Sequence, residues 1–125
     1  MDNQNTTELG FFAEEYAAKF LESRNYEIID HNYQKPWGEI DIIAKKEDIL
    51  IFVEVKANKK EVIGFEPETR AGWQKMKKVH RTARTYLVEK KYDPEQKWQI
   101  DVISITFDKE RGIAKIRHYK NIEIE

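Results

Sequence analysis

The sequence predicts an α/β domain in which a mixed β-sheet is covered by a helix on each side. Two stretches carry apolar residues at helical spacing, and five shorter ones carry strand-like alternation or compact apolar runs. They follow one another in the order α-β-β-β-α-β-β, which suits a central sheet between two helices.

Residues 8–24 predict the first helix. Leu9, Ala13, Tyr16, Ala17 and Phe20 recur at three- and four-residue intervals as an apolar stripe, Thr6 or Thr7 caps the start, and Asn25 stops it. Residues 1–7 are polar and are expected to form a disordered tail, leaving 8–125 as a single domain. Residues 26–32 alternate imperfectly as a first strand, and Pro36-Trp37-Gly38 punctuates the chain. A second strand over 39–44 leads through a polar turn at 45–48 into a third over 49–56. The apolar run from Ile49 to Val53 implies burial of that third strand on both faces. A charged loop over 57–65 precedes a long helix over 67–90, with Met76, Val79, Ala83, Tyr86 and Leu87 facing inward. Residues 98–107 and 113–119 form the last two strands around a turn at 108–112. No repeat, low-complexity segment or linker divides the chain.

Six Phe, six Tyr and three Trp among 125 residues supply apolar surface for one core, while 36% charged residues supply a solvated exterior. The absence of cysteine excludes disulfides and thiolate metal sites and fits a reducing cytoplasm. The longest unbroken apolar run, 49–53, is far too short to span a bilayer. The polar N-terminus lacks the basic and apolar segments of a signal peptide, so a cytoplasmic protein without a membrane partner is expected. A net charge of −1 argues against tight non-specific nucleic-acid binding by the whole surface and leaves room for a local basic patch.

Chemistry concentrates at Asp41 and at Glu54-Val55-Lys56. Alternation along the third strand puts Leu50, Phe52, Glu54 and Lys56 on one face. A charged pair at the end of a buried strand is costly without compensation, and a metal ion is one such partner. If strands two and three join through a two-residue turn at Glu47-Asp48, Lys46 faces Ile49, and the same register sets Asp41 opposite Glu54. Directly opposed side chains have Cβ atoms roughly 4.5–5.5 Å apart. Two carboxylates that close repel, and one pKa rises unless a hard cation such as Mg²⁺ lies between them. Lys56 then reaches a water or a scissile phosphate. The alternative is a structural Glu54–Lys56 salt bridge with Asp41 in solvent.

On the first helix, Glu14 shares a flank with Gly10, Ala17 and Leu21 and is better placed than Glu15 to lean over a sheet; otherwise it is a solvated surface residue. On the second helix, Lys77, Arg81 and Arg84 share a face that suits a phosphate backbone, or is simply solvated. Trp37 beside Gly38 is a candidate for stacking on a base, or for packing near a turn. Trp73 and Trp98 are assigned to the core or its rim. His31, His80 and His118 show no metal-ligand spacing, and Asp101 is either a carboxylate behind the ligands or structural.

The Gly-Glu-Ile-Asp of residues 38–41 followed by Phe-Val-Glu-Val-Lys at 52–56 resembles the pattern of the YraN or UPF0102 family of endonuclease-like bacterial proteins. The resemblance covers most of the chain: Gly10 and Glu14, Asn32, Gly64, Pro67, Lys75, Ala83, Tyr86-Leu87 and Asp101 to Ile105 also fit. That family is similar to the PD-(D/E)xK nucleases, including archaeal Holliday-junction resolvases. The likeness implies a restriction-endonuclease-like fold, a Mg²⁺ or Mn²⁺ site made by Asp41, Glu54 and the Val55 carbonyl, and Lys56 as catalytic lysine. It further implies Glu14 as a supporting glutamate and a homodimer as a partner state; Lys75, which also fits the pattern, is a candidate nucleic-acid-binding cation that points toward the site. Two positions depart from the family pattern: Asn58 and Gln99 stand where arginines are usual.

The resulting expectation is a metal-dependent endonuclease acting on DNA, including branched DNA, or another structured nucleic acid. The rival readings are a nucleic-acid-binding module with a weak or inactive site, and a structural or protein-interaction domain that binds no metal.

Overall fold

The computed structural model describes residues 2–58, 70–108 and 110–123. Its order is α1 (Asp2–Ser23), β1 (Glu27–Lys35), β2 (Gly38–Lys46), β3 (Ile49–Asn58), α2 (Arg70–Glu89), β4 (Trp98–Asp108) and β5 (Ile113–Tyr119). The strands make one five-stranded sheet in the order β1-β2-β3-β4-β5. β1, β2 and β3 are antiparallel, β4 lies parallel to β3 after the α2 crossover, and β5 returns antiparallel. This is the expected α/β architecture, consistent with a restriction-endonuclease-like fold.

Alternation on β3 explains why a helix is needed on each face. Ile51 and Val53 point into a core with Ala13, Ala17, Ala18 and Leu21 of α1, whereas Leu50 and Phe52 point into a second core with Met76, Val79, Ala83 and Tyr86 of α2. Each face thereby buries its apolar side chains, which contributes roughly 25 cal/mol per Å² removed from water. The inward residues of α2 are those expected. The buried stripe of α1 is rotated from the expected one: Ala18 and Leu21 are buried, while Tyr16 is 43% exposed. Three small alanines let α1 lie close on the sheet, and that approach leaves the Tyr16 ring outside, edge-on to Phe107. The helix also begins at Asp2, before the expected start at Glu8, as no Gly or Pro separates the two. Trp73 departs from its expected place too, being 42% exposed on α2 with Lys77 Nζ 4.4 Å from its ring centroid. Of the segments expected as loop over 57–65 and helix from 67, Ala57 and Asn58 still belong to β3, and 59–69 lies outside the described residues.

Both helices stop in the same way. Asn25 and Lys91 adopt left-handed backbone, with φ of 70° and 59°. Tyr26 N donates to Leu21 O and Tyr92 N to Leu87 O, closing the last turn so that the terminal carbonyls are satisfied. The β2–β3 turn pairs Lys46 with Ile49 and holds Glu47 at φ 56°, the register expected from a two-residue Glu47-Asp48 turn. Gly38, at the start of β2, passes so close to α2 that an added Cβ would lie 2.8 Å from Thr82 Oγ1, which already donates to the Lys78 carbonyl. Gly38→Ala is expected to lower stability by about 1–3 kcal/mol through overpacking, read as a reduced urea midpoint at unchanged slope.

Candidate functional site

The β2–β3 ladder ends at Ile42↔Val53. At the next position Val55 N donates to Asp41 Oδ2 at 2.7 Å, so a side chain takes the place of a backbone acceptor. Alternation breaks at the same point. Ile42 and Ala44 face the α1 core, yet both Ile40 and Ile43 pack into the α2 core. Asp41 therefore does not lie flat on one face. Its carboxylate closes the end of the sheet, buried to 6% exposure, beside the equally buried Glu54.

Each helix delivers one more ionisable group. From α1, the Glu14 carboxyl reaches Asp41, and a hydrogen bond between the two carboxyls raises the pKa of Glu14 while opposing the rise at Asp41. From α2, Lys75 Nζ lies 2.9 Å from Glu54 Oε1. Burial, then the Asp41 hydrogen bond and the surrounding negative charge, push Glu14 up to about 7. Burial followed by repulsion from Asp41 pushes Glu54 up to about 7 as well, although Lys75 opposes the rise. Asp41 is also raised, by burial above all, against the lowering effect of the Val55 N–H. Burial works against the Lys75 charge, but attraction to Glu54 and then Asp41 leaves its pKa above the usual lysine value. The exposed Glu39 adds negative charge to the same group. Three carboxyls and one ammonium thus share a buried strand end that is short of positive charge.

Lys56 follows Glu54 on the α2 face and is exposed; among the described residues none pairs with it. The two positions that lack the usual arginine are tied into β4. Asn58 Nδ2 donates to Ser104 Oγ at 3.0 Å, and Gln99 Nε2 donates to Asp101 Oδ1 at 2.9 Å. Asp101 itself is fully buried; it also accepts from Asn121 N and pairs with His118 Nε2 at 2.7 Å, so it fastens β5 and the chain after it onto β4. Trp37 has one ring face covered by Arg81, whose Cζ lies 4.2 Å from the ring centroid. Lys77, Arg81 and Arg84 are all exposed on α2, as expected for one shared face.

The structure thus brings Glu14, Asp41, Glu54 and the Val55 N–H together, with the exposed Lys56 two residues beyond Glu54 on β3. It separates Trp37 and the basic face of α2 into a neighbouring surface. Lys75, expected as a phosphate contact that points toward the site, is bonded there to Glu54, a partner the sequence reading did not name. The signal was available: Lys75 lies one turn before Val79 and so shares the sheet-facing side of α2. The role of Glu39 and the Asp101–His118 pair had no local signal, because each depends on pairing across strands.

The raised acids predict an unusual pH dependence. Folding lifts Glu14 and Glu54 from 4.5 to about 7, so between those values the folded chain holds protons that the unfolded chain releases. Their contribution is complete below pH 4.5 and is lost as pH rises through 7. The urea midpoint is therefore expected to fall from pH 5 to pH 8, and to fall less in Glu54→Gln; a midpoint that rises over this window in both chains contradicts the charge arrangement.

Residues 13–105 match the family described as "Uncharacterised protein family UPF0102". A UPF0102 protein of Campylobacter fetus is 41% identical over 107 residues, covering 86% of this chain and 91% of the relative. One from Fervidobacterium nodosum is 41% identical over 114 residues, covering 88% and 77%. One from Alkaliphilus metalliredigens is 37% identical over 116 residues, covering 90% and 94%. On both the family match and these likenesses over most of its length, the chain belongs to the UPF0102 family.

Proposed function

We propose that this protein is a metal-dependent endonuclease that hydrolyses phosphodiester bonds in DNA or structured nucleic acid. The observation that carries the reading is the convergence of Glu14, Asp41 and Glu54 at one strand end, with raised pKa values and, among the described residues, only Lys75 in contact as counter-charge. Perturbed acids gathered in one place are a mark of functional sites.

The donor set fits a hard divalent cation: two buried carboxylates, with the Val55 carbonyl beside them, offer oxygen alone. Among the described residues no group of three or more His, Asp or Glu side chains is arranged to hold a metal by itself. Water and substrate oxygens would therefore complete the shell of a Mg²⁺ or Mn²⁺ held by Asp41, Glu54 and Val55. Such an ion would supply Lewis-acid activation of water and phosphate. Lys56 positions the attacking water and offsets charge on the phosphate as the transition state forms. Glu14 braces Asp41 through the hydrogen bond between their carboxyls. Lys75 neutralises Glu54 and, being half exposed, is free to turn toward a substrate phosphate.

The second helix supports nucleic acid as substrate. Lys77, Lys78, Arg81 and Arg84 are exposed along it, and its only described acid is Glu89 at the far end. A backbone lying there would meet sequence-independent cationic contacts. A second reading, binding without cleavage, draws on Asn58 and Gln99, which use neutral hydrogen bonds to β4 where a cation would contact phosphate.

Mg²⁺-dependent cleavage of branched, flapped and single-stranded DNA is expected, slowed at least about 100-fold in Lys56→Ala. Mn²⁺ is expected to give calorimetric heat that disappears in Asp41→Asn. Saturable DNA binding without cleavage selects the second reading. No heat, no cleavage and no DNA binding leave a structural or protein-interaction domain.

A further inference from the structure

Away from the carboxylates, a cleft of about 400 Å³ opens between the C-terminal end of α1 and β5, lined by Phe20, Ser23, Arg24, Asn25, Tyr26, Lys46, His118 and Lys120. Acids slightly outnumber bases in the whole chain, 23 to 22, yet this lining holds three Lys or Arg side chains and no Asp or Glu. Among the described residues, Arg24, Lys46 and Lys120 pair with no carboxylate. Two of them are held in place by the walls. Arg24 Cζ lies 5.0 Å from the Phe20 ring centroid, and Lys46 Nζ lies 4.6 Å from that of Tyr26. His118, pinned from behind by the buried Asp101, packs against both rings, with centroids 6.0 Å from each.

A helix C-terminus ordinarily repels anions through its free carbonyls. Here three of the last four carbonyls are already bonded: Arg24 N and Tyr26 N donate to Leu21 O, Asn25 N to Glu22 O, and Ser23 Oγ to Phe20 O. The helix end is thereby muted and the cations dominate. Three like charges around one hollow repel one another, and an anion relieves that repulsion.

We infer that the cleft formed by Arg24, Lys46, Lys120 and His118 is a binding site for a phosphate monoester of nucleotide size. The volume falls within the range of small-molecule sites, roughly 300–1,000 Å³. The phosphate takes charge-assisted bonds from the Arg24 and Lys46 head groups, with Lys120 at the rim. The aromatic edges beneath give the rest of the ligand an apolar floor. The site is independent of the Asp41–Glu54 centre: Glu14 and Ser23 lie roughly 14 Å apart along α1, so one can fail without the other.

The test is calorimetric titration of the full chain with inorganic phosphate, adenosine 5′-monophosphate, and matched oligonucleotides carrying a 5′-phosphate or a 5′-hydroxyl, without divalent metal. Saturable binding of the monophosphate is expected, weakened about tenfold or more in Arg24→Gln/Lys46→Gln and little changed in the exposed control Lys97→Gln. Lys120→Gln, at an exposed position where substitutions usually cost little stability, is expected to weaken it less. A preference for the 5′-phosphorylated strand over both the hydroxyl strand and the free nucleotide identifies a strand end as the source. Equal or tighter binding of the free nucleotide identifies a soluble one. Absence of saturable binding of every phosphate probe, or binding that both the double variant and Lys120→Gln retain in full, overturns the proposal.

Discussion

The hydrogen bond from Val55 N to the Asp41 carboxylate is the contact on which the candidate site depends. It ends the β2–β3 ladder one step after Ile42↔Val53 and fastens a charged side chain where the next backbone acceptor belongs. Because side chains alternate along a strand, a slip of one residue would carry Glu54 to the α1 face and leave Asp41 without its partner. The hydrophobic pattern forbids that slip. Val53 must meet the alanines of α1, and Phe52 must meet Tyr86 and Met76 of α2. The position of the carboxylates is thus a consequence of core packing several residues away.

The two helices then act on the same strand end from opposite faces. α1 brings the Glu14 carboxyl against Asp41, and α2 contributes a positive charge through Lys75. Neither is enough. Burial keeps water from screening the carboxylates, so Glu14 and Glu54 remain near neutrality in their proton affinity despite the lysine. The raised acids make this arrangement less favourable to stability at neutral pH than at acid pH.

Much of this was legible in the chain. The turn at Glu47-Asp48 and the apolar run after it set the register as far as Ile42↔Val53, one pair short of the expected Asp41–Glu54 pairing. The flank carrying Glu14 followed from helical spacing. What was not legible came from tertiary contacts. The break of alternation at Asp41 comes with side-chain capping of the ladder. Tyr16 is displaced because small alanines draw α1 onto the sheet. Lys75 was readable as a cation on a helix, but its partner depended on where the crossover placed that helix over β3. The Asp101–His118 pair joins neighbouring strands β4 and β5 through positions that no local pattern links. Local propensity and periodicity specify elements and faces; bonds between faces appear only when the sheet is assembled.

Site-resolved carboxyl ¹³C titration of Glu14 and Glu54 examines the shortage of positive charge at the strand end without relying on turnover. Both midpoints are expected near 7 in metal-free buffer. With excess Mg²⁺ both should move down, toward the ordinary glutamate value near 4.3. Midpoints already near that ordinary value, unmoved by Mg²⁺, would contradict a site built to receive a cation.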